Sequence, residues 1–289
     1  MEKIISVADF SPEELRKWQS KLLEILIYFR DFCEEHNLRF MLAAGTMLGA
    51  VRHKGFIPWD DDLDVQMPRE DYDRLIEIWN KEADTSRFVC LSMTKDQCTK
   101  FPMAVIKSVK TTCIYEHSVN LDICQGLKID VEFLDGAPDN FLMREFNHAC
   151  ALLFSLLRAQ RIPHRNKRIK IIASKLILWL IPTHKMRWIV SSWCENRLKK
   201  YKFGEHKYVR YASNSLKPAH CFDEVVYVDF EGYRMPIPKG YDEVLRAGYG
   251  DYMQLPPEHK RKPATNNLIF YDLEHSYLDY KGIYYCVKR

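Results

Sequence analysis

Residues 60–64 read Asp-Asp-Asp-Leu-Asp, directly after Pro58 and Trp59. Four carboxylates this close together repel one another at neutral pH, so the segment has to sit where water or a cation takes up the charge. The flanking sequence is apolar: RFMLAAG lies upstream and LDVQM runs out of the cluster. A chain that satisfies both must leave the acidic end of a buried strand open on one side. In Asp62-Leu63-Asp64-Val65 the two aspartates fall on one face of an extended chain and the apolar pair on the other.

The rest of the chain supplies strands and helices around this point. Ser11-Pro12-Glu13-Glu14 predicts a capped helix start, with Ser11 as cap and Glu14 completing a capping box. Leu15, Trp18, Leu22, Ile25, Phe29 and Phe32 then recur at helical spacing until about Asn37. RFMLAAG reads as a buried strand ending at Gly45, and TMLGAVRHKG as a short helix stopped by Gly55. REDYDRLIEIWNK predicts a second long helix with Tyr72, Leu75, Ile76 and Trp79 inward. AVIKSVK and TTCIYEH are expected to pair as a hairpin, and LKIDVEFL is a third strand.

The character changes near residue 138. Segment 141–200 reads as apolar helices broken at Pro163 and Pro182, and 158–200 carries twelve Lys or Arg against one acid, Glu195. A hairpin turning near Glu231-Gly232 and a short helix follow. Strands interleaved with helices predict an α+β fold with a mixed sheet at its centre. The expected division is a catalytic core at 1–137, a helical basic subdomain at 138–220 and a hairpin-helix segment at 221–289.

Bulk properties exclude several classes. At 289 residues, 47% hydrophobic and 28% charged, the chain is globular and large enough for a full core. A net charge of +4 gives no case for nucleic acid as a partner. Nine cysteines are scattered without a C-x-x-C pair, which fits buried thiols in a reducing compartment. The N-terminal stretch has no signal-peptide pattern, and IIASKLILWLI is too short for a membrane span. The expected location is the cytoplasm, or the inner face of the membrane as a peripheral protein. The basic apolar helices leave two readings open there: a solvated face, or contact with an anionic membrane surface.

Three readings compete for the aspartates. One is a solvated acidic turn. An EF-hand loop fails, because Val65 stands at the sixth position where glycine is needed and Asp71, not Glu, at the twelfth. The third is a metal-dependent phosphoryl or nucleotidyl transfer site, in which Asp62 and Asp64 share a cation that bridges phosphate oxygens. Two further features favour it. Gly45-Thr46 lies at a strand-to-helix turn, where a backbone can approach a phosphate and the hydroxyl can donate to it. Asp130 places a lone carboxylate in the apolar strand LKIDVEFL. This reading requires Asp130 to lie beside Asp62 and Asp64. Arg52, Lys54 and Lys107 are candidate cations for the donor's phosphates, with surface positions as the alternative. Trp59 is a candidate platform for a base or a cationic head group, with core packing as its alternative.

Gly45-Thr46, the block LGAVRHKGFIPWDDDLDV and the Arg69-Glu70-Asp71-Tyr72 stretch resemble the LicD family of phosphotransferases, a branch of the nucleotidyltransferase-fold superfamily similar to the fukutin-related proteins. Weaker likeness extends over 107–112, 129–136 and the tail PIPKGYDEVLRAGYGDYMQLPP. The resemblance implies a nucleotidyltransferase-like core and transfer of a phosphorylated group, usually phosphocholine from CDP-choline with release of CMP. The implied acceptor is a glycan hydroxyl, as in lipopolysaccharide or teichoic acid, on a glycan that is in some cases lipid-linked. It also implies Mg²⁺, or Mn²⁺ in its place, on Asp62 and Asp64. Asp130 would complete the metal site or take the acceptor's proton, and Gly45 and Thr46 would hold the donor's phosphates.

Overall fold

A computed structural model describes residues 5–162, 168–211, 215–263 and 267–287. The chain opens with β1 (Ile5–Ser6), α1 (Pro12–Glu35), β2 (Met41–Leu42), α2 (Ala44–His53), β3 (Asp64–Pro68) and α3 (Arg69–Glu82). It continues through β4 (Phe88–Leu91), β5 (Ala104–Ser108), β6 (Thr112–Tyr115) and the long β7 (Lys128–Ala137). Three helices follow, α4 (Phe141–Ala159), α5 (Arg168–Leu180) and α6 (His184–Leu198). The last elements are β8 (Tyr208–Tyr211), β9 (Leu216–Pro218), β10 (Val225–Phe230), β11 (Tyr233–Pro238), α7 (Tyr241–Tyr249) and β12 (Asn267–Asp272). The fold is α+β, as the interleaved pattern predicts.

The expected start of α1 is present in full: Ser11 accepts from the Glu14 N–H, and the Glu14 carboxylate accepts from the Ser11 N–H. Such a cap is worth about 1 kcal/mol. The helix buries Leu15, Trp18, Leu22, Ile25, Leu26 and Phe29 in the main core. On α3, Trp79 meets Phe29 and Phe32, and the Tyr72 ring meets Phe133 of β7 edge-on.

The central sheet is mixed and runs β2-β3-β7-β5-β4. β3 and β7 are parallel, while β5 pairs antiparallel with the first half of β7 and β8 with its second half. The 138–220 region therefore contributes β8 and β9 to this sheet as well as three helices. Ile129, Val131 and Phe133 project from one face of β7, while Lys128, Asp130 and Glu132 project from the other.

The expected hairpin of AVIKSVK with TTCIYEH does not form. β5 joins the central sheet, whereas β6 turns away and pairs with β12 in a separate sheet ordered β1-β12-β6. The cause is the return of residues 125–127 over the turn. Gln125 O accepts from the Cys113 N–H, Thr111 Oγ1 accepts from the Leu127 N–H, and a Cβ on Gly126 would lie 1.7 Å from Ser108 O. The predicted C-terminal hairpin is present as β10–β11, turning at Glu231 and Gly232, both with positive φ. The break expected at Pro163 lies outside the described residues. Seven of the nine cysteines are buried, and Cys98 and Cys286 are half-buried. No helix among the described residues is long and apolar enough to cross a membrane.

Candidate active site

The acidic segment is held from two sides. From α1, the Trp18 indole N–H donates to Asp61 O at 2.8 Å, and the Gln19 amide donates to Asp60 O at 2.9 Å and Ile57 O at 3.2 Å. From α2, the Thr46 hydroxyl accepts from the Asp64 N–H at 2.9 Å. These bonds fix the backbone of a loop whose own charges push it apart.

β3 begins at Asp64, so Asp62 stands in the extended loop before the strand and not on the strand itself. The alternation still holds: Leu63 is fully buried and its carbonyl accepts from the Asp130 N–H at 2.9 Å. The parallel register sets Asp64 directly opposite Asp130 and Gln66 opposite Glu132. Neighbouring strands lie about 4.8 Å apart, so these pairs share one face at close range. Asp130 thus lies beside Asp64, as the transfer-site reading requires. The Lys128 ammonium, two residues earlier on the same face, donates to Asp130.

Electrostatics follow from this crowding. Burial, then Asp62 and Asp61, push the Asp60 carboxyl up to about 8. Asp62 is raised by burial and by Asp130, against Lys128. Asp64 is raised well above the usual carboxylate range by burial, then by Asp62, Asp130 and Glu132. Glu132 reaches about 7 through burial and Asp130. Burial lowers Lys128, but Asp130, Asp64 and Asp62 outweigh it and hold the amine charged.

The sign of the resulting pH dependence is fixed. An acid whose folded pKa exceeds its unfolded value near 4 binds more protons when folded, so stability is greatest below that value and falls as pH rises through the folded pKa. Without divalent cations, the thermal midpoint of the wild type is expected to fall from about pH 4 to about pH 8 more steeply than that of Asp60→Asn. Melts in a chelator across that window check this, and parallel curves would refute it.

The donor set is chemically suited to a hard divalent cation: several carboxylate oxygens and no soft ligand. Their spacing is loose. Among the described residues, the one trio of such ligand atoms within 4.8 Å of one another is His220, Cys221 and Glu243, outside this cluster. Lys128 occupies the position on Asp130 that a cation would take. A metal here would draw the carboxylates together and displace that ammonium or share Asp130 with it.

The other candidates are distributed unevenly. Gly45 lies in the first turn of α2, and a Cβ there would come 2.8 Å from Asp60 Oδ2. In this structure the group that the glycine admits is therefore the Asp60 carboxyl. Lys54 is the left-handed cap at the far end of α2, with an exposed side chain, and is not brought to the carboxylates. Lys107 is fully buried, its ammonium has no hydrogen-bond partner among the described residues, and burial lowers its pKa. It lies opposite Lys128 across β5 and β7, on the carboxylate face of the sheet.

Arg52 lines a cavity of ≈ 700 Å³ together with Trp59, Tyr249, Tyr252 and Arg261. Its guanidinium donates to Tyr252 O at 2.7 Å, and that of Arg261 lies over the Trp59 ring at 5.7 Å. Tyr249, 48% exposed, is pushed up to about 12 by the loss of water around its hydroxyl and by the charges of Asp60, Asp64 and Asp62, so it stays protonated. A smaller cavity of ≈ 230 Å³, beside Arg69, Asp73 and Lys199, lies at the opposite end of β3.

Sequence reasoning counted Asp60 in the acidic run but left it out of the site residues, and it missed Lys128 and Glu132 as members of the cluster and Gln19 as a support. Lys128 and Glu132 were within reach, since both flank Asp130 at two-residue spacing and share its strand face.

The nucleotidyltransferase-domain model described as LicD/FKTN/FKRP matches residues 37–118. Over 265 residues the chain is 30% identical to the lipopolysaccharide cholinephosphotransferase LicD of Haemophilus influenzae, covering 86% of this chain and 95% of that protein. Shorter matches reach an uncharacterised protein of Rickettsia typhi, 35% identical over 72 residues, and one of Rickettsia prowazekii, 38% identical over 74. These cover 24% of this chain in each case, and 23% and 28% of the respective relatives. With carboxylates gathered at the mouth of a mixed sheet and likeness running over nearly its whole length, this chain belongs to the LicD family of phosphotransferases.

Proposed function

We propose that the protein transfers phosphocholine from CDP-choline to a hydroxyl of a cell-envelope glycan, with lipopolysaccharide as the first acceptor to test and teichoic acid as the second. The observation that carries this reading is the pairing of Asp64 with Asp130 across parallel strands, beside an arginine- and tryptophan-lined cavity. Asp62 and Asp64 would hold Mg²⁺, which would supply charge neutralisation at the diphosphate.

The reaction is an in-line displacement at the distal phosphorus. The acceptor oxygen forms a bond to that phosphorus, the bond to the bridging oxygen breaks, and CMP leaves with the electron pair. The acceptor's proton passes to a carboxylate of the cluster, with Asp130 as the residue in that role. Lys128 and the Tyr249 hydroxyl present donors toward oxygens that gain charge in the transition state. Arg52 and Arg261 suit the nucleotide end of the donor, since two guanidinium groups beside Trp59 repel a quaternary ammonium. The base therefore stacks on Trp59 while the choline end points toward the acceptor.

Trp59→Ala is expected to raise KM for CDP-choline about tenfold with little change in kcat, from loss of one base–aromatic stack. Steady-state kinetics check this. The reaction itself is tested with two donors, one labelled in choline and one in cytidine. Choline label on the glycan, with free labelled CMP, is expected; cytidine label on the glycan would overturn the proposal in favour of nucleotidyl transfer.

A further inference from the structure

α5 differs from an ordinary surface helix, whose single apolar stripe faces the core: Ile171, Ile177 and Leu178 are half-buried on its inner side, and a second apolar stripe lies outside. Its one buried residue is Ser174. Ile169, Ile172, Leu176 and Trp179, spaced three, four and three apart, form a stripe that faces outward, with Trp179 74% exposed. On α6, Met186, Ile189 and Trp193 are also exposed. Arg187 of α6 donates to Leu178 O and Ile181 O, which holds the end of α5 against the start of α6. The Trp193 ring meets exposed Phe146 of α4 edge-on, 6.5 Å between centroids, and so extends the apolar surface to a third helix. Exposed apolar side chains gathered in this way mark an interaction site.

The charge on this face has one sign. Arg168, Lys170, Lys175 and Lys185 are exposed around the stripe. Glu195, the one acid between residues 158 and 200, is turned inward, where it accepts from Arg69 and Arg158. An apolar stripe with tryptophan, flanked by cations, is the pattern of a helix lying in a lipid interface. At 13 residues, α5 is about 20 Å long and cannot span a bilayer.

The same face is tied to the site. Arg187 donates to Gln160 Oε1 at 2.7 Å, and the next residue, Arg161, contacts His117 and feels the charge of Asp130. We propose that α5, with the adjoining turns of α4 and α6, is a docking surface for an anionic lipid bilayer, with the helix parallel to the membrane plane. If the acceptor is a lipid-anchored glycan, as the proposed function has it, this docking would bring the enzyme to the surface that carries it.

The test is co-sedimentation of the full chain with vesicles of phosphatidylcholine, with and without phosphatidylglycerol. Partitioning onto the anionic vesicles is expected to be at least about tenfold stronger and to weaken at high salt. The double variant Leu176→Glu, Trp179→Glu is expected to lose that partitioning while keeping the wild-type thermal midpoint, since both side chains are exposed. Three outcomes would overturn the proposal. They are no preference for anionic vesicles, a variant that still partitions, and a wild-type dimer that the variant dissociates without any vesicle binding by the wild type.

Discussion

Asp64→Asn is expected to abolish transfer while leaving the metal-free protein more resistant to heat. The two effects have one cause. Asp64 faces Asp130 across the parallel pair and is raised by burial and by Asp62, Asp130 and Glu132. In the empty site its ionisation is unfavourable, so a neutral isostere removes repulsion. That gain starts above about pH 4, where the unfolded chain ionises, and grows as pH rises toward the raised folded pKa. In catalysis the same charge is needed to hold the cation that offsets charge developing on the diphosphate. Loss of several kcal/mol of that stabilisation corresponds to at least about a thousandfold in rate.

A cation that binds the folded state alone raises the thermal midpoint by mass action. Mg²⁺ should therefore stabilise the wild type and leave Asp64→Asn unmoved. Melts with chelator and with Mg²⁺, beside an assay of CMP release, read all three effects. A variant that melts lower than wild type in chelator would identify Asp64 as a structural residue. A variant that retains CMP release would remove the acidic cluster from catalysis.

What could be read ahead of the structure was local. The Ser11 cap, the stripe of α1, the apolar run of β7 and the turn at Glu231-Gly232 all arise from contacts within a few residues. The carboxylates, too, announce themselves, because charge in an apolar strand has few explanations. Pairing was less legible. β5 and β6 have the composition of a hairpin, yet each finds its partner far along the chain, at β7 and β12. The fixing of the aspartate loop by Trp18 and Gln19 spans about forty residues, and an indole on a helical stripe looks like any core residue until its N–H finds a carbonyl. Lys54 is a different case. It is close to the aspartates in sequence, but ten residues of α2 carry it away from them.

Arg69→Met is expected to destabilise the fold by about 3–5 kcal/mol. Arg69 opens α3 in the Arg-Glu-Asp-Tyr stretch, which by its place in the family motif invites a catalytic role. Its surroundings are structural. The guanidinium makes two bonds of 2.7 Å to Asp135, stacks 3.2 Å from the centre of the Phe133 ring, and donates to Glu195 at 3.1 Å. Arg158 of α4 bonds the other oxygen of Glu195 at 2.8 Å. The four charges balance and tie α3, β7, α6 and α4 into one unit, so the basic helices are fastened to the sheet through Glu195. Removing Arg69 leaves Asp135, 1% exposed, without its counter-ion. For a domain of this size the thermal midpoint should drop by roughly 10 °C. Breaking a buried pair is costly, whereas replacing both members with apolar groups is often neutral. Arg69→Met combined with Asp135→Leu should therefore recover most of the loss. If the double variant is no more stable than Arg69→Met, the cost lies in the lost stacking on Phe133 and not in the stranded carboxylate.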